Sequence, residues 1–312
     1  MMSSFRLLSN RGRFLVTGPA AFASIVSLVG ESRVSQCAWY SSSPPSSSGS
    51  TAGSAAATNL SLKKDFGKKN VPEITVYQYK ICPFCNRVKA YLDFLNIPYT
   101  AVEVNPLTKG EIKFSKDYKK VPLITIGDTQ VNDSSPILEH ITANLVATDN
   151  AEKLGFFPED TQKWSDWSEK RLAVMLYPNI TRSFEESWEC FAYTSDVLEW
   201  NPLVRIGTRA AGAAAMSLAN GKIKKKYNIV DERAELATAL EEWTDAVDSS
   251  ASKGPFLHGA QITLPDLMVY GVLRSIEGLT TWKEIMENNA KLRNWYQAVE
   301  KQTPVCEMMA AN

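Results

Sequence analysis

The chain has 312 residues, 44% of them hydrophobic and 22% charged, with 34 basic against 34 acidic side chains and no net charge. That length and apolar content bury a substantial core and suit two domains plus a tail, while the balanced charge gives no global reason to expect nucleic acid as a partner. Five scattered cysteines (Cys37, Cys82, Cys85, Cys190, Cys306) are too few for a secreted disulfide framework, so a reducing compartment is expected.

From Met1 to Lys63 the only acidic residue is Glu31, while Arg6, Arg11, Arg13 and Arg33 supply charge and serine is abundant. That composition reads as an organellar, mitochondrial-type presequence. Within it Phe14 to Gly30 is apolar for about 17 residues but broken by Gly18-Pro19, at the lower edge of what spans a bilayer, so a membrane anchor through residues 14–30 is the alternative. The Ser/Pro/Ala-rich stretch Ser41 to Asn59 has linker composition. Cys37 lies upstream of it and has no expected role in the mature protein.

Ile74, Val76 and the aromatics around them predict a strand. Cys85, Val88, Leu92 and Leu95 then recur at three- and four-residue spacing, which predicts a helix closed by Ile97-Pro98. Tyr99 to Val104 reads as a second strand, Lys109 to Tyr118 as a short helix, Val121 to Ile126 as a third strand, a turn at Gly127-Asp128 leads to a brief fourth strand, and Ser135 to Leu145 is helical. The order βαβαββα predicts a small mixed sheet with helices on its faces. Beyond Thr161 the pattern is helical only, with Trp164, Trp167 and Leu172, then Leu236, Leu240, Trp243 and Val247, then Leu292, Trp295 and Val299 on apolar faces. Thr263-Leu264-Pro265-Asp266 is a capping box opening the helix that follows, a structural feature. The organisation expected is a leader and linker over 1–69, an α/β domain over 70–148, a linker over 149–160 and an all-α domain over 161–307.

The chemistry gathers around Cys82-Pro83-Phe84-Cys85. Cys82 falls where strand hands over to helix, and Pro83 suits the first helical position because its missing N–H has no partner there. Cys82 therefore sits over unpaired N–H groups and the positive end of the helix dipole, with Lys80 nearby, which favours a nucleophilic thiolate; Cys85, one turn inside, belongs to the buried face as a resolving or inert thiol. Two merely structural thiols remain the alternative. Zinc would need further soft ligands, yet the chain has only His140 and His258 and no second Cys-x-x-Cys, so no metal is expected.

Val121-Pro122 is a second site-building feature: a proline at the entry to a strand donates nothing to the ladder, and Val121 backbone groups are left to pair with an extended peptide. Asn132-Asp133-Ser134-Ser135 is a third. Ser134 or Ser135 is expected to cap the next helix, whose free N–H groups suit a carboxylate. Lys222 to Tyr227 reads as a solvated helix end, with contact to anionic lipid as the alternative.

These motifs, in this order, resemble the glutathione site of the thioredoxin-like fold shared by glutaredoxins and glutathione transferases. The resemblance implies that Val121 pairs with the cysteinyl backbone of glutathione, that Pro122 is cis, and that Asp133 and Ser134 hold the γ-glutamyl end. The helical second half is similar to the transferases, whereas a free-standing glutaredoxin would have ended. YQYKICPFCNRVKAYLDFLNIPYTAVEVNP, EIKFSKDYKKVPLI, VNDSSPIL, Tyr177-Pro178-Asn179, GAAAMSL and DLMVYGVLRSIEGL resemble, along nearly the whole chain after Val71, the type-2, membrane-associated prostaglandin E synthase family. For that family the resemblance implies isomerisation of prostaglandin H2 to prostaglandin E2, with glutathione bound and in some cases haem. Cys82 is then the essential thiol with the Tyr79 hydroxyl hydrogen-bonded to it, and an apolar cleft for the substrate lies near Phe84, Tyr177 and Pro178. A homodimer and peripheral membrane contact also follow from it. Relative to glutaredoxins, Tyr79 stands where lysine is usual and no Gly-Gly follows the third strand, so efficient dithiol reduction is not expected. A glutathione-dependent thiol oxidoreductase or transferase acting on another substrate, and a non-catalytic glutathione- or haem-binding protein, are the alternative readings.

Overall fold

A computed structural model of the chain describes residues 72–146, 155–250 and 253–308. The leader over 1–69, with Cys37 and the apolar run 14–30, and the first half of the linker over 149–160 lie outside the described residues.

Strand β1 (Ile74–Gln78) alternates buried and half-buried side chains, as a strand covered mainly on one face should. It pairs in parallel with β2 (Tyr99–Glu103) and antiparallel with β3 (Leu123–Ile126), which in turn pairs antiparallel with β4 (Thr129–Asn132). The full order is β4-β3-β1-β2-β5. Apart from β5 this is the thioredoxin-like arrangement expected. Strand β5 (Glu307–Met308) is not: the end of the helical half returns to pair in parallel with β2, at Tyr99↔Glu307 and Thr100↔Met308. Two residues are too short for a periodicity to announce them.

Helix α1 (Pro83–Phe94) crosses from β1 to β2. Cys82 is its N-cap in extended conformation, and Pro83 is at the first helical position. No cap side chain serves this end; instead Asn86 Nδ2 donates to the carbonyls of Lys80 at 2.8 Å and Cys82 at 3.0 Å, tying the first turn to the loop before it. The helix stops one turn before Pro98, because Asn96 turns left-handed (φ 54) and its N–H and that of Ile97 close back on Asp93 and Leu92 at 3.0 and 2.9 Å.

The helix expected over Lys109 to Tyr118 is a single 3-10 turn, Gly110–Ile112. Lys109 is left-handed (φ 50), which stops a helix from running through it, and side-chain bonds in competition with a helical continuation tie down the stretch after the turn: Lys109 Nζ donates to Lys119 O at 2.7 Å and Ser115 Oγ to Tyr118 O at 2.7 Å, with Lys119 Nζ on Ser115 O. So short a segment cannot offset that competition by propagation. Helix α2 (Ser134–Leu145) closes the first half.

The second half is built of α3 (Thr161–Trp167), a π turn (Ser168–Leu172), α4 (Ala173–Asn179), α5 (Phe184–Cys190), a 3-10 turn (Ala192–Asp196), α6 (Pro202–Tyr227), α7 (Glu232–Asp248), α8 (Leu264–Arg274), α9 (Thr280–Asn288) and α10 (Ala290–Glu300). Its core is aromatic: the Trp243 ring lies 5.0 Å from both Trp164 and Trp295 and 6.0 Å from Trp167. Asp266 completes the expected capping box, accepting from Thr263 N–H at 3.1 Å and also from Trp295 Nε1 at 2.9 Å. No described helix is long and apolar enough to cross a membrane.

The two halves share one core. Helix α8 packs against α1 so closely that a Cβ on Gly271 would stand 2.6 Å from Arg87 Cα. Fully buried Arg87 donates across this junction to Ser165 Oγ at 2.9 Å and pairs with Glu169, carried by the π turn, at 3.1 Å. Asp93 pairs with Arg274 at 2.6 Å and accepts from Cys306 N–H at 2.8 Å. The glycine in Tyr-Gly-Val-Leu-Arg is thus where two helix backbones meet.

Candidate functional site

The loop between β1 and α1 delivers Cys82 to the junction of the two halves. Cys82 N–H donates to Tyr79 O at 2.9 Å, closing the turn that sets Cys82 at the helix start. Cys82 and Cys85 are buried free thiols, in a small apolar cluster with Tyr79, Val104, Ile112 and Val121 that is separate from the main core. Phe84 is half-buried and packs against both the cluster and the main core, which places it at the boundary expected of a cleft residue.

Both thiols are buried, Cys82 at the helix start and Cys85 one turn inside. Burial pushes Cys85 well up, and its hydrogen bond to Cys82 pushes it further, so Cys85 stays protonated and points its proton at its neighbour. Lys80 does not lie over Cys82; its exposed ammonium pairs with exposed Asp196 at 3.8 Å. Nor is the expected Tyr79–Cys82 side-chain hydrogen bond formed among the described residues. Tyr79 contributes its carbonyl to the Cys82 turn, and burial, then the charges of Cys82 and Cys85, hold its phenol in the protonated form.

The helical half adds two phenols. Tyr177 is raised by burial and by Cys190, Cys82 and Tyr79, and its hydroxyl donates to Met216 Sδ at 2.9 Å. Pro178, by contrast, is buried inside α4 with its carbonyl held by Asn220 Nδ2 at 2.9 Å, so it packs rather than lines a cleft. Tyr193, which the sequence reading missed, is raised by burial and by Glu103, Tyr79 and Cys82. Glu103 was missed as well. It sits at the end of β2, accepts from Lys80 N–H at 2.9 Å, and is pushed up to about 8, chiefly by burial. The one available signal was an acidic residue between Val102 and Val104 in an otherwise uncharged strand.

The peptide-binding side is also assembled. Val121-Pro122 is a cis peptide bond. Val121 is 7% exposed and lies against the thiols, and neither its N–H nor its C=O has a backbone partner among the described residues. A buried amide without a partner is costly, and an extended peptide backbone would supply what it lacks. Pro122 O accepts from Asp133 N–H at 3.1 Å, which fixes the start of α2 beside it. The cap of α2 is Asp133 rather than Ser134 or Ser135: its backbone is left-handed (φ 72) and its carboxylate accepts from Ser134 N–H at 2.7 Å. Ser134 is fully buried and its hydroxyl faces Arg87 Nη1 at 3.4 Å.

Residues 76–146 match the Glutathione S-transferase, N-terminal domain family, and residues 214–310 the Glutathione S-transferase, C-terminal domain family. Proteins called Prostaglandin E synthase 2 in Danio rerio and Mus musculus are each 31% identical to this chain, over 273 and 276 residues, covering 74% of it and 71% of their own length. The chain belongs to the prostaglandin E synthase 2 family. Glutaredoxin 1 of Rickettsia conorii is 36% identical over 70 residues, 21% of this chain and 69% of its own. The fold is that of the glutathione transferases: GSTFuA3 of Phanerochaete chrysosporium superposes with a TM-score of 0.50 at 16% identity, covering 75% of this chain and 98% of its own.

Among the described residues no histidine or methionine is placed beside Cys82 to ligate haem. His258 has both ring nitrogens engaged, by Asp160 Oδ1 at 2.9 Å and Thr263 Oγ1 at 3.0 Å, and His140 is not among the residues packed around Cys82. The Sδ atoms of Met216 and Met268 face Tyr177 and Arg87. Histidine and methionine therefore offer haem no ligand beside Cys82, an iron ligand there would have to be a thiol, and no chemistry is built on haem.

Proposed function

We propose that the protein isomerises prostaglandin H2 to prostaglandin E2 with Cys82 as the working thiol and glutathione as co-substrate. The carrying observation is the cluster in which Cys82 meets the unpaired backbone of Val121, a thiol and a peptide-binding strand in one place. Val121 would pair with the cysteinyl backbone of glutathione and the Asp133 carboxylate would receive its γ-glutamyl amino group. Ser134 has its hydroxyl turned toward Arg87 and its N–H on Asp133, so it shapes this end of the site rather than contacting the ligand through its side chain. Bound glutathione supplies a second thiol beside Cys82.

In this reading the Cys82 thiolate attacks the endoperoxide oxygen on the carbon that becomes the ketone. An S–O bond forms as the O–O bond breaks, and the other oxygen leaves as alkoxide and takes a proton. Loss of the C–H proton on the attacked side forms the C=O, and the S–O electron pair returns to sulfur, regenerating the thiolate. Tyr79, held protonated in the same cluster as Cys82, is suited to give a hydrogen bond to the leaving oxygen. The apolar body of the substrate would lie by Phe84.

Purified protein incubated with prostaglandin H2, with and without glutathione, should give prostaglandin E2, and Cys82→Ser should fall by about 10³ or more, the scale of losing a covalent nucleophile. Unchanged turnover in Cys82→Ser would sink the reading. The Cys85–Cys82 hydrogen bond favours a second one, thiol exchange with glutathione mixed disulfides, which the same samples would reveal by disulfide turnover in place of isomerisation. Residues 1–69 direct the chain to mitochondria in this reading; a fusion of that segment to a fluorescent protein that stays cytosolic would refute it.

A further inference from the structure

We infer that the Asn86 side chain is the clasp that holds the Cys82 loop in its working shape, and that through it the helical half of the molecule sets the position of the nucleophile. Asn86 is then a positioning residue, acting through Cys82 and touching no substrate. The inference rests on the reading of Cys82 as the working thiol.

A helix start is ordinarily fastened by a side-chain oxygen that accepts from its free N–H groups. Cys82 stands at the cap of α1 and supplies no such bond, and the N–H groups of Phe84 and Cys85 have no backbone partner among the described residues. Fastening through those groups would take away what suits a thiol placed at a helix start. Asn86 fastens the same turn through its carbonyls instead. Its buried amide donates to Lys80 O at 2.8 Å and to Cys82 O at 3.0 Å, so one side chain grips the loop on both sides of Ile81. The two bonds differ in consequence. Cys82 O also accepts from the Asn86 backbone N–H at 3.0 Å and keeps a partner without the amide, whereas Lys80 O has no other partner among the described residues. Since Lys80 N–H is taken by Glu103 at 2.9 Å, the residue two before the nucleophile is held at both ends of its backbone. What holds Asn86 comes from the other half of the chain. Helix α8 lies so close that a Cβ on Gly271 would stand 2.7 Å from Asn86 O, which leaves Asn86 no room to shift toward α8. Helix α8 thus seats Asn86, Asn86 grips Lys80 and Cys82, and Cys82 carries the sulfur.

The test measures two rates on the full-length protein: alkylation of Cys82 by iodoacetamide, read by fragment mass spectrometry of its peptide, and isomerisation of prostaglandin H2. Asn86→Ser is the first variant, because a serine hydroxyl on a helix bonds the carbonyl four residues back, here Cys82 O, and is too short to reach Lys80 O as well. The helix turn should stay satisfied and the urea midpoint close to that of wild type, while the loop is released. Cys82 is 2% exposed, so release should speed its alkylation roughly twofold to tenfold, the scale of one hydrogen bond. It should lower kcat about tenfold or more, the scale of a misplaced reacting atom, and leave the KM for glutathione within about twofold of wild type. Asn86→Ala should move both rates further in the same directions; should it fail to fold, Asn86→Ser decides alone. A residue with a merely structural role would lower turnover only as the urea midpoint falls. That pattern, or alkylation no faster than in wild type, would overturn the inference. The alkylation arm contains neither prostaglandin nor glutathione, so it judges the clasp even where wild type fails to isomerise, which is the separate failure of the isomerase reading.

Discussion

Helix α1 meets two kinds of buried surroundings, and they have opposite characters. At its start, Cys82 and Cys85 lie in an apolar cluster with Tyr79 and Val121, and the ionisable groups there, Cys85, Tyr79, Tyr193 and Glu103, are all pushed toward their neutral forms. Along its outer face, Arg87 and Asp93 are buried with their partners in place, Arg87 on Glu169 and Ser165, Asp93 on Arg274 and Cys306 N–H. The difference is one of partners rather than burial. A buried charge with a full set of partners anchors one half of the molecule to the other; an ionisable group that burial leaves short of partners is held in its neutral form.

Breaking the anchored end should have the largest effect. Asp93→Ala leaves Arg274 buried and unpaired, and should cost about 3–5 kcal/mol in urea denaturation, whereas replacing both partners with apolar residues should recover most of it. A loss below about 1 kcal/mol would mean that Arg274 finds water or another acceptor and that the pair is no anchor. Gly271→Ala comes next. The added Cβ meets backbone, Arg87 Cα at 2.6 Å and Asn86 O at 2.7 Å, so no flexible side chain can move away, and about 1–3 kcal/mol should be lost with the two helices forced apart.

Much of this was legible in the sequence, and the rest was not for reasons that can be named. The strand–helix handover at Cys82-Pro83, the helical second half and the Thr263–Asp266 box are written in short-range patterns, the cis Val121-Pro122 was implied by the family resemblance, and the structure has them all. The segment after Lys109 was misread because lysine and serine side chains there take backbone carbonyls, which periodicity does not show. The cap of α2 went to Asp133 because its carboxylate, at a residue of positive φ, reaches the Ser134 N–H, a backbone turn that no local pattern announces. Glu103, Tyr193 and strand β5 reach the site or the sheet only through the fold: Tyr193 lies more than a hundred residues after Cys82, and Glu307 meets Tyr99 only once the last helix has turned back. Contacts of that range leave no local mark.

The reactive end should be far more tolerant of losing its second thiol than its first. Cys85→Ala removes a buried group that holds its proton and is hydrogen-bonded to Cys82 and to the Tyr79 backbone, so isomerase activity should stay within a few-fold of wild type and stability should fall by about 1–2 kcal/mol. A loss of activity equal to that of Cys82→Ser would show that the pair acts as a dithiol and would favour the disulfide-exchange reading.

The smallest effect, and the most specific to the comparison, is the pH dependence of stability. Glu103 is raised from its ordinary 4.5 to about 8 in the folded protein. A raised acid favours the fold while it is protonated in both states, so its contribution is complete below pH 4.5 and is lost as pH rises through 8. The slope from one such group is at most about 1.4 kcal/mol per pH unit, and less here because the side chain is only half-buried and water screens it. Urea midpoints taken from pH 5 to 9 should therefore fall more for wild type than for Glu103→Gln, whose side chain cannot ionise. The anchored pair supplies the contrast: Asp93 and Arg274 are partnered with each other and not with Glu103, so the same comparison made on an Asp93→Leu, Arg274→Met background should keep the full Glu103 difference. If the difference vanished there, the two ends of α1 would be coupled, and the separation between an anchored face and a reactive start would be wrong.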